Sequence, residues 1–241
     1  MNWRLGKLTG SRVKDAVNLR DGATKAEVWR IAAESIIGSA AIAEGDLSAS
    51  QVLERGHRLE PVALARFAKE TGKKVDASLV GWESDDDTRL AISPDGVICK
   101  TEAVEVKCLL STKHVEALYT RSIPKNTAGY EEQRLHYFIV NPKLRKLHHV
   151  FYHPDFPAPL DFFVITATRD ELVEEIARYE EAEREVVAKV RDIVNTLTLY
   201  GPEEVERMRQ VHDELVADAT KKHVAGKARV QALINTQKSI V

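Results

Sequence analysis

The sequence predicts a mixed α/β fold, with a central mixed β-sheet flanked by helices and a helical C-terminal extension. Three observations predict it. Residues 48–71 place Ala63, Leu64, Phe67 and Ala68 at three- and four-residue spacing, the period of a helix with one apolar face. Between 79 and 108 the pattern changes to short β-rich runs separated by Asp, Gly and Pro. From Arg169 onward the chain is rich in charge, with Ile176, Val187, Val190, Ile193, Val194 and Leu197 as apolar positions that ask for packing. The expected division is a core over residues 1–168 and a helical extension over 169–241.

Taken in order, residues 11–37 read as two short helices around a turn at Asp21-Gly22. The helix over 48–71 ends at Gly72, and Pro61 inside it should kink it or mark a new start. Leu79–Glu83, Arg89–Ser93, Gly96–Lys100 and Val104–Cys108 read as strands of one sheet. The Asp85-Asp86-Asp87 run between the first two is a solvated hairpin turn. Helices follow near Lys113–Tyr119 and from about Thr127 to Val140, where Asn141-Pro142 stops the second. Lys146–Tyr152 and Phe162–Thr166 are two more strands. A helix over 170–197 is interrupted at Gly201-Pro202, and another covers 203–235.

Composition narrows the functional classes. At 241 residues with 44% hydrophobic content, the chain is long enough for one sizeable domain with appendages. Its two cysteines, Cys99 and Cys108, exclude a disulfide framework and a four-thiolate zinc or iron–sulfur site from this chain alone. His148, His149 and His153 cluster without a Glu or Cys at metal spacing, which argues against zinc. No apolar run is long enough to span a bilayer, and the start, MNWRLGKLTGS, lacks the apolar stretch of a secretory signal. A cytoplasmic location without membrane association is expected. The net charge of −2, from 35 basic and 37 acidic residues, gives no global sign of nucleic-acid binding. A DNA-binding protein of this composition must focus its basic residues locally or offset an acidic site with bound metal.

The strongest chemical signal is Ser93-Pro94-Asp95-Gly96 followed by Glu105-Val106-Lys107, with nine residues between Asp95 and Glu105. Side chains alternate along a strand, so Glu105 and Lys107 share one face while Val104, Val106 and Cys108 take the core side. An Asp at the head of the preceding hairpin strand falls beside Glu105. Two carboxylates and an ammonium then converge at one sheet edge. Carboxylate and carbonyl oxygens suit hard divalent cations, so the backbone carbonyl of Val106 is a further candidate ligand. Such ions assist phosphodiester hydrolysis, and the lysine orients water or donates to transition-state charge. Alone, Glu-x-Lys is an ordinary solvated strand face; the upstream Ser-Pro-Asp-Gly makes it specific.

The stretch SPDGVICKTEAVEVKC resembles the catalytic hairpin of the phage lambda exonuclease family, the YqaJ-type viral recombinase nucleases of the PD-(D/E)xK superfamily. Three further segments are similar. Arg55-Gly56-His57-Arg58-Leu59-Glu60-Pro61-Val62-Ala63 resembles a family helix whose acidic residue falls here on Glu60. Ile123-Pro124 and the run from Tyr130 to Tyr137 resemble the active-site helix, with Gln133 and Tyr137 in the Q-x-x-x-Y spacing of RecB-like nucleases. Arg4-Leu5-Gly6 and Thr9-Gly10-Ser11 resemble the segment that lines a DNA 5′-phosphate pocket in the family. The resemblance covers roughly residues 3–166.

The resemblance implies a PD-(D/E)xK core and a Mg2+-dependent exonuclease, with Mn2+ able to replace Mg2+. It implies 5′-to-3′ digestion of duplex DNA ends that leaves 3′ overhangs for phage-type recombination. It further implies a single-strand annealing protein as partner and a ring-shaped homotrimer with a tapered channel. Asp95 and Glu105 would hold the metal, with Glu60 as a metal or water ligand, while Lys107 and Gln133 position the water. Arg4, Thr9 and Ser11 would bind the 5′-phosphate. At this level Tyr137 reads as a core residue, and Thr9 or Ser11 equally as the N-cap of a helix. A restriction- or repair-type endonuclease on the same core and a non-catalytic DNA-end-binding module stay open as alternatives.

Overall fold

The computed structural model describes residues 3–17, 24–40, 50–78, 81–124 and 129–238. The turn expected at Asp21-Gly22, the start of the run at Leu79 and the helix start at Thr127 lie outside the described residues. The chain forms two compact units, residues 1–191 and 192–241.

The first unit begins with β1 (Leu8–Thr9), a single helical turn α1 (Val13–Ala16) and α2 (Ala26–Ile37). Helix α3 (Ser50–Thr71) presents Leu59, Ala63, Leu64 and Phe67 as one buried stripe and ends at Gly72, whose φ of 67° a side chain would resist. It runs through Pro61 as one element, so the new start expected there does not occur. The missing proline N–H costs one hydrogen bond, which the packing of the stripe outweighs.

Strands β2 (Trp82–Glu83), β3 (Leu90–Ile92), β4 (Gly96–Cys99) and β5 (Glu102–Lys107) occupy the β-rich region. They are not strands of one sheet, contrary to the expectation from sequence. β3 lies between β1, to which it is parallel, and β2, to which it is antiparallel. β4 and β5 form an antiparallel hairpin in a separate four-stranded sheet of order β4-β5-β6-β7. The chain leaves the first sheet at Ser93-Pro94, where proline has no N–H to continue a ladder. The Asp85–Asp87 run connects β2 to β3 as expected, and Asp87 pairs with Arg89 and Arg191.

After β5 come α4 (Ser111–Thr120) and α5 (Tyr130–Val140), then β6 (Lys146–Tyr152) parallel to β5 and β7 (Phe162–Thr168) antiparallel to β6. A parallel neighbour needs a long crossover, and α4 and α5 supply it. Both faces of this sheet are covered. Ala63, Leu64 and Phe67 of α3 pack with Val104, Val106, Val150 and Phe162 on one side. Leu109, Ala117 and Ile123 pack with Phe151 and Phe163 on the other.

A turn of 3-10 helix (Asp170–Leu172) leads into α6 (Val173–Lys238). Its part in the first unit buries Ile176, Ala182, Val186, Val187 and Val190. In the second unit its path is interrupted at Gly201 (φ 72°, ψ 169°), the break that Gly201-Pro202 announces. Leu197, read as a packing position, is 41% exposed. No helix among the described residues is long and apolar enough to cross a membrane.

Candidate active site

The hairpin places the central residues through its register. Gly96 faces Val104, which sets Asp95 just ahead of β4 and beside the C-terminal half of β5. Asp95 Oδ2 accepts the Val106 N–H at 2.6 Å, which pins the carboxylate to the strand. Glu105 and Lys107 occupy one face, as strand alternation requires, but that face is interior: Glu105 is 5% exposed and Lys107 9%. Lys107 Nζ donates to Glu105 Oε1 at 2.7 Å.

Helix α5 completes the cluster. Gln133 Oε1 accepts from Lys107 Nζ at 2.8 Å, and Gln133 Nε2 donates to Glu105 Oε1 at 2.9 Å. Tyr137, one turn on, donates its hydroxyl to Glu105 Oε2 and lies 3.2 Å from the Ser93 carbonyl. Sequence reasoning read Tyr137 as core. It is fully buried and also holds the central carboxylate, a dual place that its spacing from Gln133 signals. The Tyr130 ring, also missed, lies 4.1 Å from Lys107 Nζ, within cation–π range. Arg169 caps the far end of α5, donating to the carbonyls of Asn141 at 3.0 Å and Leu144 at 2.9 Å.

Electrostatics tie Asp95, Glu105, Lys107 and Glu60 together. Burial, then the negative charges of Glu105 and Glu60, push Asp95 up to about 8. Burial raises Glu60 as well, with Glu105 adding and His57 and Lys107 opposing. Burial works against the Lys107 ammonium, yet Glu105 overrides it and holds Lys107 above its ordinary value. Tyr137 is raised well above its ordinary value by burial and by Glu105, so it remains a donor.

This donor set fits a hard divalent cation. Asp95 and Glu105 crowd like charge into a half-buried space, and a cation relieves that crowding. Among the described residues no group of three or more His, Cys, Asp and Glu side chains forms a ready-made cage. Two carboxylates, a nearby third and the Val106 carbonyl instead suit an ion that keeps several waters, as Mg2+ does. His148, His149 and His153 form no such group either. His148 bonds Thr166 and Glu102, and His153 bonds Ser111. His149, in register with Glu105 on β6, is buried and held neutral, well below its ordinary value, by burial and then by Lys107.

A pH dependence follows. Asp95 in the metal-free fold binds its proton more tightly than the unfolded chain does, its value rising from 3.8 to about 8. A raised folded-state value stabilises at low pH and loses that contribution as pH rises through it. The melting temperature of chelator-treated protein should therefore fall between about pH 4 and pH 8 and level off above that, and Mg2+ should restore it most at the alkaline end. A flat profile in a differential scanning experiment would contradict this charge crowding.

The N-terminal residues gather elsewhere. Arg4, Thr9 and Ser11 line a cavity of about 360 Å³ together with Arg12, Arg30 and Glu34. Ser11 and Thr9 are not N-caps: Arg12 takes that position in α1 with no side-chain cap bond. One helical turn is also too short to make a helix-end anion site. The cavity owes its order to Glu34, 4% exposed, which accepts both arms of the Arg12 fork at 2.9 Å and the Gly6 N–H at 3.3 Å. Arg12 and Glu34 gave no signal of this in the sequence. The cavity adjoins the carboxylate cluster. Tyr137 feels the Arg4 charge, and Gly10 packs so closely on Gln133 and Ile92 that a Cβ would collide with them.

Comparison with known proteins shows the family and the fold. The model of the YqaJ-like viral recombinase domain matches residues 1–141. Among solved structures, the alkaline exonuclease LHK-Exo from Laribacter hongkongensis is 25% identical, with a TM-score of 0.63 over 88% of this chain and 98% of that one. Its complex with dAMP gives 25% identity and a TM-score of 0.62 over 81% and 95%. A phage-related exonuclease from Haemophilus somnus 129PT shares the fold at 14% identity, with a TM-score of 0.55 over 77% and 95%. No curated protein matches the chain.

Proposed function

The chain belongs to the YqaJ-like viral recombinase domain family, and from that premise we propose that it is a Mg2+-dependent deoxyribonuclease that degrades duplex DNA from 5′ ends and leaves 3′ overhangs. The observation that carries this reading is the convergence of Asp95, Glu105, Lys107 and Gln133, with Glu60 within electrostatic reach. Asp95 and Glu105, assisted by Glu60 and the Val106 carbonyl, would hold Mg2+ or Mn2+. The bound cation supplies Lewis-acid stabilisation of charge building on the scissile phosphate.

The chain's own groups have separable tasks. Tyr137 keeps its proton and fixes the Glu105 carboxylate by donating to it. Lys107 has three N–H donors, of which Glu105 and Gln133 take two, leaving one for the attacking water or a phosphate oxygen. Gln133 fixes Lys107 through its carbonyl. Burial of this face keeps bulk water from screening these charges.

The decisive experiment is digestion of linear duplex labelled at either 5′ or 3′ ends, with and without Mg2+, beside a covalently closed circle. Metal-dependent release of the 5′ label from linear DNA, with the circle untouched, is expected. Cutting of the circle would indicate an endonuclease on the same core, and no metal-dependent release would indicate a non-catalytic module.

Polarity draws support from the neighbouring cavity. The Arg4 guanidinium and the Thr9 and Ser11 hydroxyls suit a terminal phosphate, and their place beside the carboxylates would anchor the 5′ end next to the bond to be cut. A 5′-phosphorylated end should accordingly be digested faster than a 5′-hydroxyl end. Arg4→Ala should shrink that preference more than it slows digestion of 5′-hydroxyl DNA. Equal rates on both ends with the intact protein would remove the pocket from the reading.

A net charge of −2 gives little non-specific hold on DNA, because such binding grows with the number of phosphates neutralised. A homotrimer that encircles the duplex, as the family resemblance implies, would retain the substrate without that hold. Light scattering should give about three chain masses, and digestion should continue after excess trap DNA is added. A monomeric mass with immediate arrest by the trap would leave a distributive nuclease. The 3′ overhang it makes is a substrate for a single-strand annealing protein, the partner this reading assigns to it, within the cytoplasm of the cell where recombination occurs.

A further inference from the structure

Between Gln133 and Tyr137, helix α5 carries a buried polar side chain that faces away from the carboxylates. His136 is 0% exposed. Its Nε2 donates to the Ala91 carbonyl on β3 at 3.0 Å, and its Nδ1 lies 2.9 Å from Glu183 Oε2 on α6, a residue that is also 0% exposed. Both ring nitrogens face acceptors, so the imidazole is doubly protonated. Burial alone would strip that proton, but the Glu183 carboxylate holds His136 above its ordinary value.

Stability does not account for such a pair. Among the described residues Glu183 Oε1 has no hydrogen-bond partner, so the ions are only partly compensated for their loss of water. A buried ion pair is often no more stabilising than apolar residues of the same volume. What the pair does supply is direction. His136 and Tyr137 are consecutive and so diverge by about 100° around the helix. His136 bolts α5 to Ala91 and α6, and Tyr137 bolts it to Glu105 and Ser93. One bolt would let the helix roll about it; two at that angle fix its rotation, and with it the place of Gln133 over Lys107.

We propose that the His136–Glu183 ion pair is a positioning device that sets the rotation of α5, so that Gln133 and Tyr137 meet Lys107 and Glu105 in the geometry hydrolysis needs. The inference rests on the nuclease reading. Neither His136 nor Glu183 touches substrate, and both act through Gln133 and Tyr137.

The test measures kcat and KM on linear duplex at saturating Mg2+, with melting temperature and Mn2+ affinity alongside. Glu183→Ala should lower kcat about tenfold or more, the scale expected when catalytic groups shift by a fraction of an ångström, with KM and Mn2+ affinity unchanged. Glu183→Gln keeps an acceptor for Nδ1 and should recover most of the lost kcat. A merely structural pair would lower the melting temperature and leave the kcat of the folded enzyme at the wild-type value, which overturns the proposal. Should Glu183→Ala not fold, the double variant His136→Leu/Glu183→Met, apolar and of similar volume, decides the matter. Reduced kcat in a well-folded double variant supports positioning, and wild-type kcat refutes it. An inactive wild-type enzyme would instead count against the nuclease reading itself.

Discussion

Glu105→Ala is expected to reduce hydrolysis of linear duplex DNA by about a thousandfold or more at saturating Mg2+. Glu105 is the residue on which the site converges, accepting from Lys107, Gln133 and Tyr137 while facing Asp95. Its loss removes one proposed metal ligand and frees three other side chains at once. Asp95→Asn should be nearly as damaging to activity, yet its effect on stability has the opposite sign. Asp95 is pushed to about 8 by burial and by Glu105 and Glu60, so an uncharged amide of the same shape removes the repulsion. Chelator-treated Asp95→Asn should melt above the wild type at pH about 8 and higher, while its turnover is lost. That opposition separates a catalytic defect from misfolding. Normal turnover by Glu105→Ala would sink the assignment of the site.

Lys107→Ala should cost about a hundredfold in kcat, because it removes the only side-chain cation hydrogen-bonded to Glu105 among the described residues. Its effect on metal binding should be small or favourable. The Lys107 ammonium and a divalent cation compete for the same Glu105 charge, and burial makes that competition strong. Calorimetric titration with Mn2+ should therefore show affinity equal to or above the wild type, alongside the lost turnover. Loss of Mn2+ affinity together with activity would instead make Lys107 a structural counter-ion for the carboxylates. Glu183→Ala extends this logic outward, since it should lower kcat without touching a metal ligand or the ammonium.

Much of the site was legible because it is local. Asp95, Glu105 and Lys107 lie within one hairpin, and period-two alternation alone puts Glu105 and Lys107 on one face. Gln133 and Tyr137 were legible as a helical pair four residues apart, though not as partners of Glu105. Glu60 carried a resemblance but no local signal, since a carboxylate on a helix looks the same in solvent as beside a metal. The His136–Glu183 pair gave none at all, because its members stand 47 residues apart and each is an ordinary polar residue in its own helix.

Apart from β1, which nothing in the sequence announced, the sequence by itself determined the order of helices and strands, the hairpin and the break at Gly201, because hydrophobic period, proline and glycine act over a few residues. Only the tertiary structure decided that the β-rich region divides between two sheets, and that the Glu105–Lys107 face is interior. The physical reason is coverage. A strand reading Glu-Ala-Val-Glu-Val-Lys has the pattern of a one-sided sheet, and nothing within it says that a crossover will lay α5 over its polar face. That covering helix turns an ordinary alternating strand into a buried cluster of opposed charges, in which Asp95 is driven to about 8 and Lys107 keeps its proton.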